Sequence, residues 1–353
     1  MSSFADKLIT WFLISARDLP WRQTRDPYLI WISEVILQQT RVQQGMDYYF
    51  RFTSRFPDVK SLAEADEEEV LSLWQGLGYY SRARNLHAAA RFVENECRGV
   101  FPDTFSSLQK LKGVGAYTAA AIASFAFGEN VPVVDGNVLR VFCRYFALSE
   151  DIRLESTQDS VRTLAAGLLP EGKSWEFNQA IMELGALVCK PGIPDCSGCP
   201  LVSGCQAAAT GLQASLPFKS KAKERRARFF NYLWPVSEGR MAFRKREEDD
   251  IWKGLFEPLL FEADKNFIRP EDFPEEAAAY FKNAARCRLL PAEKCILSHQ
   301  EIFLSIWLVE LPSGQENTGI RWLSATEAED LPKPVIFSKI LRKARTSPLY
   351  LIP

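Results

Sequence analysis

The hydrophobic pattern of the chain changes once, near residues 206–228. Before that region, apolar residues recur at helical spacing in segments separated by Gly and Pro, and one of these predicted helices covers 62–75. Beyond it they form runs typical of strands at 229–236, 241–244, 255–261 and 295–309, with helices predicted near 274–285 and at 337–345. A chain of 353 residues also exceeds the roughly 250–300 residues at which a single core stops growing. The sequence therefore predicts a multidomain protein, with an all-α domain over 1–206 and an α+β domain with an antiparallel sheet over 229–353.

Residues 207–228 are predicted to be a linker between these domains. Six basic residues crowd into the ten positions 219–228, opposed only by Glu224. Such a charge run is typical of a solvated linker, and a specific phosphate site is the alternative. The basic residues are Lys219, Lys221, Lys223, Arg225, Arg226 and Arg228.

The overall charge gives no argument for a nucleic-acid partner. The formal net charge is -1, so any site for a polyanion must arise from local sorting of charge. No run approaches the ~20 apolar residues that a membrane span needs. The first segment contains Asp6 and Lys7 and is predicted to be an amphipathic helix rather than a signal peptide. We therefore expect a cytoplasmic protein.

Four of the eight cysteines lie in one short window with the spacing C-x6-C-x2-C-x5-C. Pro and Gly residues between them bend the chain, so four thiolates can surround one compact, soft centre. The residues alone favour tetrahedral zinc and an iron–sulfur cluster equally, because both accept four sulfur ligands. The candidate ligands are Cys189, Cys196, Cys199 and Cys205.

Two carboxylates stand in apolar surroundings. Glu34 is the one acid in a strongly apolar helical stretch, where burial would raise its pKa and make it a plausible proton donor. The alternative is a core salt bridge with Arg41 or Arg22. Asp135 follows an apolar run and precedes a predicted helix, so it is either a functional carboxylate or simply a helix cap.

Two Gly-hinged turns suit contacts with another molecule. Gly113 and Gly115 lie between two predicted helices, where free N–H groups at the next helix start suit a phosphate oxygen. In the second turn, residues 76–84, an aromatic residue such as Tyr79 can wedge between stacked bases. The alternatives are an ordinary helix–helix turn and a core tyrosine pair.

Together these segments resemble the helix-hairpin-helix DNA glycosylases, and most closely the MutY-type adenine DNA glycosylase family. The resemblance is dense over residues 1–205, and several motifs in fixed order are more specific than any one alone. It implies an enzyme and a [4Fe-4S] cluster on the four cysteines. The motifs are Leu19-Pro20-Trp21-Arg22, Trp31-Ile32-Ser33-Glu34, Leu37-Gln38-Gln39-Thr40-Arg41-Val42, Gly76-Leu77-Gly78-Tyr79-Tyr80, Gly113-Val114-Gly115-Ala116-Tyr117-Thr118-Ala119 and Val134-Asp135-Gly136-Asn137-Val138.

The resemblance also implies catalytic roles. Glu34 would protonate the departing adenine and later activate water, and Asp135 would stabilise the developing sugar cation. Tyr117 and Asn137 would orient the site. Tyr117 stands where the endonuclease III-like glycosylase/lyases carry a lysine, and tyrosine cannot form a Schiff base.

Further binding roles follow from the same resemblance. An extruded adenine would lie in a pocket, because its glycosidic bond cannot be reached inside a stacked duplex. Gly113 and Gly115 would bind a phosphate through backbone N–H groups, although Lys112 replaces the usual proline of that hairpin. The pocket would be lined by Arg17, Trp21, Arg22 and Glu183. The gap in the duplex and the opposite 8-oxoguanine would be contacted by Gln39, Thr40, Leu77 and Tyr79.

The C-terminal domain resembles the Nudix-related domain with which this family recognises 8-oxoguanine. No Gly-x5-Glu-x7-Arg-Glu box is present, so pyrophosphatase activity is not expected. Ser298 and His299 fall where the family has a Phe-Ser-His loop. Leu297 replaces the phenylalanine, which leaves Ser298 as the hydrogen-bonding reader.

The sequence thus favours a monomeric, monofunctional DNA N-glycosylase that removes adenine opposite 8-oxoguanine or guanine in base excision repair, acting at the nucleoid. An enzymatic alternative is an endonuclease III-like glycosylase/lyase for damaged pyrimidines. A non-enzymatic alternative is an iron–sulfur DNA-binding or electron-transfer protein, in which Glu34 and Asp135 are only structural.

Overall fold

The computed structural model describes residues 3–221, 224–312 and 319–344, which form two compact units. The helical unit comprises Met1–Glu64 and Asn85–Lys221, and the sheet unit comprises Ala65–Arg84 and Ala222–Pro353. Residues 65–84 therefore pack with the sheet unit, although the sequence placed them inside the helical domain. Their hydrogen bonds join residues far apart in sequence, which no local pattern reports.

Fifteen helices run through the described residues. None of these helices is long and apolar enough to cross a membrane. They are α1 Phe4–Ser15, α2 Pro27–Leu37, α3 Val42–Arg55, α4 Val59–Glu64, α5 Glu67–Leu73, α6 Ser81–Cys97, α7 Phe105–Leu108, α8 Ala116–Phe127, α9 Gly136–Tyr145, α10 Glu155–Leu168, α11 Ser174–Leu187, α12 Gln206–Thr210, α13 Glu275–Lys282, α14 Glu327–Asp330 and α15 Val335–Ala344.

Eight strands of the described chain form one mixed sheet. The predicted antiparallel sheet is wrong in one respect, because β1 pairs with β7 in parallel from Arg226↔Gln300 to Val236↔Glu310. β1 also pairs antiparallel with β2 and β4. The strands are β1 Arg226–Ser237, β2 Arg240–Lys245, β3 Phe256–Glu257, β4 Leu259–Ala263, β5 Arg286–Leu289, β6 Glu293–Ile296, β7 Gln300–Glu310 and β8 Ile320–Leu323.

Three predicted elements are divided in the structure. The helix expected over 62–75 is two helices, α4 and α5, with Asp66 at the N-cap position of the second. The strand expected over 255–261 is divided between β3 and β4 at Pro258, which cannot donate to a ladder. The run 295–309 is divided between β6 and β7. The pattern did not predict β5 or β8 at all.

The helical unit is organised around α2, α8, α9 and α11. Asp26 begins α2 by accepting a hydrogen bond from the backbone N of Tyr28 at 2.8 Å, next to Pro27 at the first helical position. Residues 30–36 of α2 are buried. Apolar faces of α1, α9 and α11 meet in a second core that includes Phe12, Phe142 and Phe177.

The two faces of the sheet bury alternate residues of β1. Phe230, Tyr232 and Trp234 face a core that contains Phe337 of α15. Leu233 points to the opposite core, which contains residues of α13. This period of two follows from the strand pleat, and it places a helix over each face of the sheet.

The predicted linker is partly structured. α12 begins at Gln206, and β1 begins at Arg226 rather than at 229. Arg228 is only 9% exposed, and its Nε lies 2.7 Å from Glu262 Oε1, so it belongs to a buried ion network rather than to a solvated run. The predicted positions Ala222 and Lys223, and the last residue of the helix predicted over 337–345, Arg345, lie outside the described residues.

Candidate active site

The carboxyl group of Glu34 lies inside the helical unit. The apolar sequence of α2 buries this residue, which is 6% exposed. Tyr117, at the start of α8, donates a hydrogen bond from its hydroxyl to Glu34 Oε2 at 2.6 Å. Burial is the main cause that raises the pKa of Glu34 to about 7, and it outweighs the Tyr117 hydrogen bond, which lowers the pKa; the charge of Asp135 also raises it and Arg22 also lowers it. The group is therefore a carboxylic acid that exchanges its proton near neutral pH.

Asp135 is held at the N-cap of α9. Its Oδ1 accepts hydrogen bonds from the backbone N of Asn137 at 2.9 Å and of Val138 at 2.8 Å. Its Oδ2 accepts from Asn137 Nδ2 at 2.7 Å. Burial raises the pKa of Asp135, while these bonds and Arg140 lower it. The net effect is a raised pKa, although the helix start and these three donors stabilise the charged form of the carboxylate.

The helix-cap and functional interpretations of Asp135 are therefore compatible. The cap fixes the carboxylate, and the charges of Glu34 and Asp135 both raise the pKa of Tyr117. The proposed salt bridge from Glu34 to Arg22 is not formed, because Arg22 donates to Gln179 Oε1 at 2.8 Å and to Glu183 Oε2 at 2.8 Å. The structure thus brings together Glu34, Tyr117, Asp135 and Asn137.

Arg140 supports Asn137 from the next turn of α9. Its Nη2 donates to Asn137 Oδ1 at 2.9 Å and to the carbonyl of Gly185 at 2.7 Å. Its Nε donates to the carbonyl of Cys189 at 2.7 Å. Gly185 has no space for a side chain, since a Cβ there would lie 2.6 Å from Asn137 Cβ. One buried guanidinium therefore joins α9, α11 and the cysteine loop.

Asn178 of α11 fixes the segment that leads into Asp135. This side chain is 1% exposed, and its Oδ1 accepts from the backbone N of Val133 at 3.0 Å. Its Nδ2 donates to the carbonyl of Val131 at 2.9 Å and to Ser124 Oγ at 3.0 Å. An extended segment without a sheet partner thus obtains its hydrogen bonds from one side chain.

The predicted pocket residues meet around Glu183. Its carboxylate is buried and accepts from Arg17 Nη2 at 2.6 Å and from Arg22 Nη2 at 2.8 Å. Burial by itself would raise the pKa of Glu183, but the hydrogen bonds from both arginines lower it to about 2. Trp21 is also buried and packs edge-on against Tyr49, with ring centroids 5.3 Å apart. This charged cluster is rigid because each donor has a fixed acceptor.

The hairpin between α7 and α8 lines a groove of about 710 Å³. Gly113 has a φ of +79°, and a Cβ there would lie 2.6 Å from Asn85 Cβ, so only glycine fits. Gly115 is the N-cap of α8. Tyr117 and Val134, the residue before Asp135, line the same groove.

Gln39 and Thr40 end α2 in a strained turn. Gln39 is exposed and has a φ of +61°, a conformation that side chains rarely adopt. Thr40 Oγ1 donates to the carbonyl of Gln38 at 3.4 Å, and Gln38 Nε2 donates to Thr118 Oγ1 at 3.2 Å. Gln39 is therefore exposed to solvent, while the hydrogen bond from Gln38 to Thr118 connects the turn to α8.

The remaining predicted contact residues belong to the sheet unit. Leu77 is buried, whereas Tyr79 is 42% exposed with a φ of +49°. Tyr80 is buried, so the neighbouring tyrosines divide between core and surface. Ser298 and His299 are exposed in the turn between β6 and β7, with Ser298 Oγ 2.8 Å from His299 Nδ1.

The four cysteines line one small cavity in the helical unit. Arg144, which is 2% exposed, also lines it and donates from Nη1 to Cys189 Sγ at 3.3 Å. It also donates to the loop carbonyls of Lys190 at 2.8 Å and Gly192 at 2.9 Å, and to the carbonyl of Leu216 at 2.8 Å. Within the described parts of the chain, no three His, Cys, Asp or Glu side chains converge on a position for a single metal ion.

Sequence reasoning missed several residues that position these groups. They are polar residues of α9 and α11 whose partners are backbone carbonyls or distant side chains. One signal was available, since Arg140 and Arg144 lie four residues apart on one face of a helix. The missed residues are Arg140, Arg144, Asn178 and Gln179.

Comparison with known families agrees with this architecture. Residues 32–169 match the HhH-GPD superfamily of base excision DNA repair proteins, and residues 231–343 match the NUDIX domain. Solved structures with the fold of the helical unit include a thermostable thymine-DNA glycosylase, with a TM-score of 0.54 and 31% identity over 59% of this chain and 95% of that chain. An endonuclease III–DNA covalent intermediate, with 23% identity, covers the same shares at a TM-score of 0.52 and shows the fold alone. Fold and site thus define a helix-hairpin-helix base excision repair protein with a NUDIX domain.

Related proteins identify the family within this class. An adenine DNA glycosylase of Buchnera aphidicola subsp. Acyrthosiphon pisum is 31% identical over 343 residues, which cover 94% of this chain and 95% of that protein. The mouse adenine DNA glycosylase is 46% identical over 216 residues, 59% of this chain, and the match spans 42% of the mouse protein. The chain belongs to the adenine DNA glycosylase family.

The raised pKa of Glu34 predicts a pH-dependent effect of E34Q on stability. Between the ordinary pKa of 4.5 and the folded value of about 7, the folded state binds the proton more tightly, so wild-type stability falls as pH rises through this window. A glutamine does not ionise, so E34Q does not lose stability as pH rises through this window. E34Q should match the wild type below the window and gain up to about 3 kcal/mol above it.

Urea unfolding of both proteins on each side of this pH window measures the gain. E171Q serves as the control, because Glu171 is exposed in the turn before α11. A gain for E34Q that is the same at low and high pH would contradict the assignment of the buried proton to Glu34.

Proposed function

We propose that this protein hydrolyses the N-glycosidic bond of adenine in duplex DNA, where adenine lies opposite 8-oxoguanine or guanine. The observation that carries the proposal is that one site holds two buried carboxyls with different hydrogen-bond partners. Glu34 has a pKa near 7, while Asp135 is surrounded by donors that favour its ionised form. Family membership supports the same substrate, since an adenine DNA glycosylase matches this chain over 94% of its length.

Glu34 acts as the general acid. Its proton passes to a ring nitrogen of adenine as the bond between the sugar carbon and the base breaks, and the base leaves neutral. The resulting Glu34 carboxylate then accepts a proton from the water that attacks the sugar carbon, which restores the acid. Tyr117 holds the carboxyl in place through its 2.6 Å hydrogen bond.

Asp135 stabilises the positive charge that develops on the sugar. It acts as an ion partner for the oxocarbenium-like sugar, or bonds to it transiently before water displaces it. Asn137 and the start of α9 hold the carboxylate, so little reorganisation is needed when charge develops. The two acids therefore carry complementary roles, proton donor and cation stabiliser.

The remaining residues bind the DNA. The hairpin glycines Gly113 and Gly115 approach a phosphate through the backbone, and the extruded adenine lies against Trp21 and the arginine pair around Glu183. Ser298 and His299 present hydroxyl and imidazole groups that fit the edge of 8-oxoguanine. Gln39, Thr40, Leu77 and Tyr79 fill the space that the adenine leaves in the duplex. The protein acts as a monomer, at the DNA in the cytoplasm.

The cysteine loop fits a [4Fe-4S] cluster held by Cys189, Cys196, Cys199 and Cys205. The four cysteine side chains line one cavity, which brings four possible sulfur ligands together. Bound there, the cluster would cross-link four points of the loop. Arg144 donates to Cys189 Sγ, as expected beside an anionic sulfur.

Base release from defined duplexes tests the function directly. Duplexes carrying adenine opposite 8-oxoguanine, guanine, cytosine and thymine should lose adenine fastest in the first case. E34Q should slow release by at least about 10³-fold, because a general acid contributes about 10²–10⁴ to the rate and the attacking water needs the same group. Unchanged release by E34Q excludes the acid role.

Borohydride trapping on abasic DNA separates this function from that of a glycosylase/lyase. With Tyr117 in place of an amine, no efficient lysine-linked adduct should form. A strong adduct that requires a lysine of the helical unit would assign the protein to the lyases instead.

The pH dependence of adenine release should follow Glu34. Release requires the protonated carboxyl, so the rate should fall as pH rises through about 7. Y117F removes a hydrogen bond that lowers the pKa of Glu34, so the alkaline fall should move to higher pH. Single-turnover rates across this pH range give the shift, and a shift to lower pH would be inconsistent with this account.

The cluster assignment predicts a brown protein with about four irons per chain. C199S should lose iron and visible absorbance, whereas C97S should keep both, because Cys97 lies at the end of α6 and away from the loop. Metal and sulfide analysis of the purified proteins measures the difference. One zinc per chain and no sulfide would overturn the assignment.

A further inference from the structure

The segment Ala65–Arg84 is bonded to the sheet unit along its whole length. Its hydrogen bonds reach partners on β8, α14, α15 and two loops, each more than 160 residues away in sequence. The bonds run from Arg321 Nη1 to Glu68 Oε1 at 2.7 Å, Ser72 Oγ to the Asp330 carbonyl at 2.8 Å, Gln75 Nε2 to Ser338 Oγ at 2.7 Å, Tyr80 hydroxyl to the Lys333 carbonyl at 3.3 Å and Arg84 Nη1 to the Lys253 carbonyl at 2.6 Å.

Two of these bonds flank the turn that carries Tyr79. Gln75 is bonded just before the turn and Tyr80 just after it. Between them the backbone has positive φ at Gly76, Gly78 and Tyr79. A left-handed conformation at a tyrosine persists only where the surroundings fix it. The exposed ring of Tyr79 is therefore presented by a turn that is fixed at both ends on the sheet unit.

The loop 329–333 is the centre of this attachment. The carbonyls of Glu329 and Leu331 accept from Lys333 Nζ at 2.8 and 3.0 Å. The carbonyls of Asp330 and Lys333 accept from the segment, and that of Pro332 accepts from the backbone N of Phe256 at 2.8 Å. Every carbonyl of the loop thus has a donor, and Lys333 supplies two of them.

Lys333 is an unusual residue for such a place. It is 1% exposed, and burial lowers the pKa of its ammonium to about 8. Burying an ammonium group costs free energy unless its N–H donors have acceptors. The carbonyls of Glu329 and Leu331 supply acceptors for Lys333. The side chain closes the loop on itself and turns the carbonyls of Asp330 and Lys333 towards the segment.

We propose that Lys333 is a positioning residue for recognition of the base opposite adenine, because it shapes the 329–333 loop that fixes the Tyr79 turn on the sheet unit. This inference rests on the proposed function. The Tyr79 turn and the Ser298–His299 turn then both belong to the sheet unit and contact the base opposite adenine together. A substitution of Lys333 makes the Tyr79 turn more mobile without changing any residue that contacts DNA or the reacting atoms.

Hydrogen exchange and base release together test this inference on the full-length protein. K333M removes the ammonium, and S72A/Y80F removes the two donors of the segment while leaving Lys333 in place. K343M is the matched control, since Lys343 is exposed on α15 and pairs with Glu293. In K333M and S72A/Y80F, amides of residues 67–80 should exchange about tenfold faster or more, and in K343M they should not change.

Selectivity should change in parallel. In K333M and S72A/Y80F, adenine release opposite 8-oxoguanine should slow about tenfold, while release opposite guanine changes less than about twofold. Equal slowing on both duplexes would indicate only general damage and would overturn the positioning role. Unchanged exchange in both variants would overturn the attachment itself.

The two proposals fail separately. If the wild type releases no adenine from any duplex, the proposed function is wrong, and the exchange of residues 67–80 still decides whether Lys333 holds the segment. If the wild type is active but selectivity is unchanged in S72A/Y80F, the inference about Lys333 is wrong and the proposed function stands.

Discussion

Burial of one carboxyl beside a tyrosine hydroxyl is the constraint on which the site depends. Glu34 is buried in the apolar helix α2, where water does not supply its hydrogen bonds. The Tyr117 hydroxyl supplies one instead, which avoids the free-energy cost of an unsatisfied buried carboxyl. The same burial that costs stability at high pH gives the group a proton to donate near pH 7. The helix-hairpin-helix element therefore also supports the acid, since α8 carries Tyr117 two residues after Gly115.

Supporting hydrogen bonds extend from this pair in a connected set. Asp135 receives its donors from the start of α9, Arg140 joins that helix to α11 and the cysteine loop, and Asn178 holds the segment before Asp135. Glu183, which accepts from Arg17 and Arg22, lies on the same α11. Because these groups are largely buried and paired, moving one leaves another without its hydrogen-bond partner, which costs free energy. The cysteine loop is joined to this set by the hydrogen bond from Arg140 to the Cys189 carbonyl.

The sheet unit also contains buried polar groups that are paired with specific partners. Its sheet is closed by helices on both faces, and its Arg228 ion network and the Lys333 loop place charged groups where only specific partners satisfy them. These buried charges contribute specificity of conformation rather than net stability. The Tyr79 turn takes its shape from this unit, although in sequence it lies within the helical half.

The sequence alone determined the two fold classes, the apolar surroundings of Glu34 and Asp135, the four-cysteine window and the resemblance to a family, because hydrophobic period, Gly and Pro positions and motif order are local properties. It did not reveal that residues 65–84 pack with the sheet unit, that β1 and β7 run parallel, or that Arg228 is buried. Nor did it identify Asn178, Arg140 or Lys333. Those features depend on hydrogen bonds between residues distant in sequence, and their geometry exists only once the chain has folded.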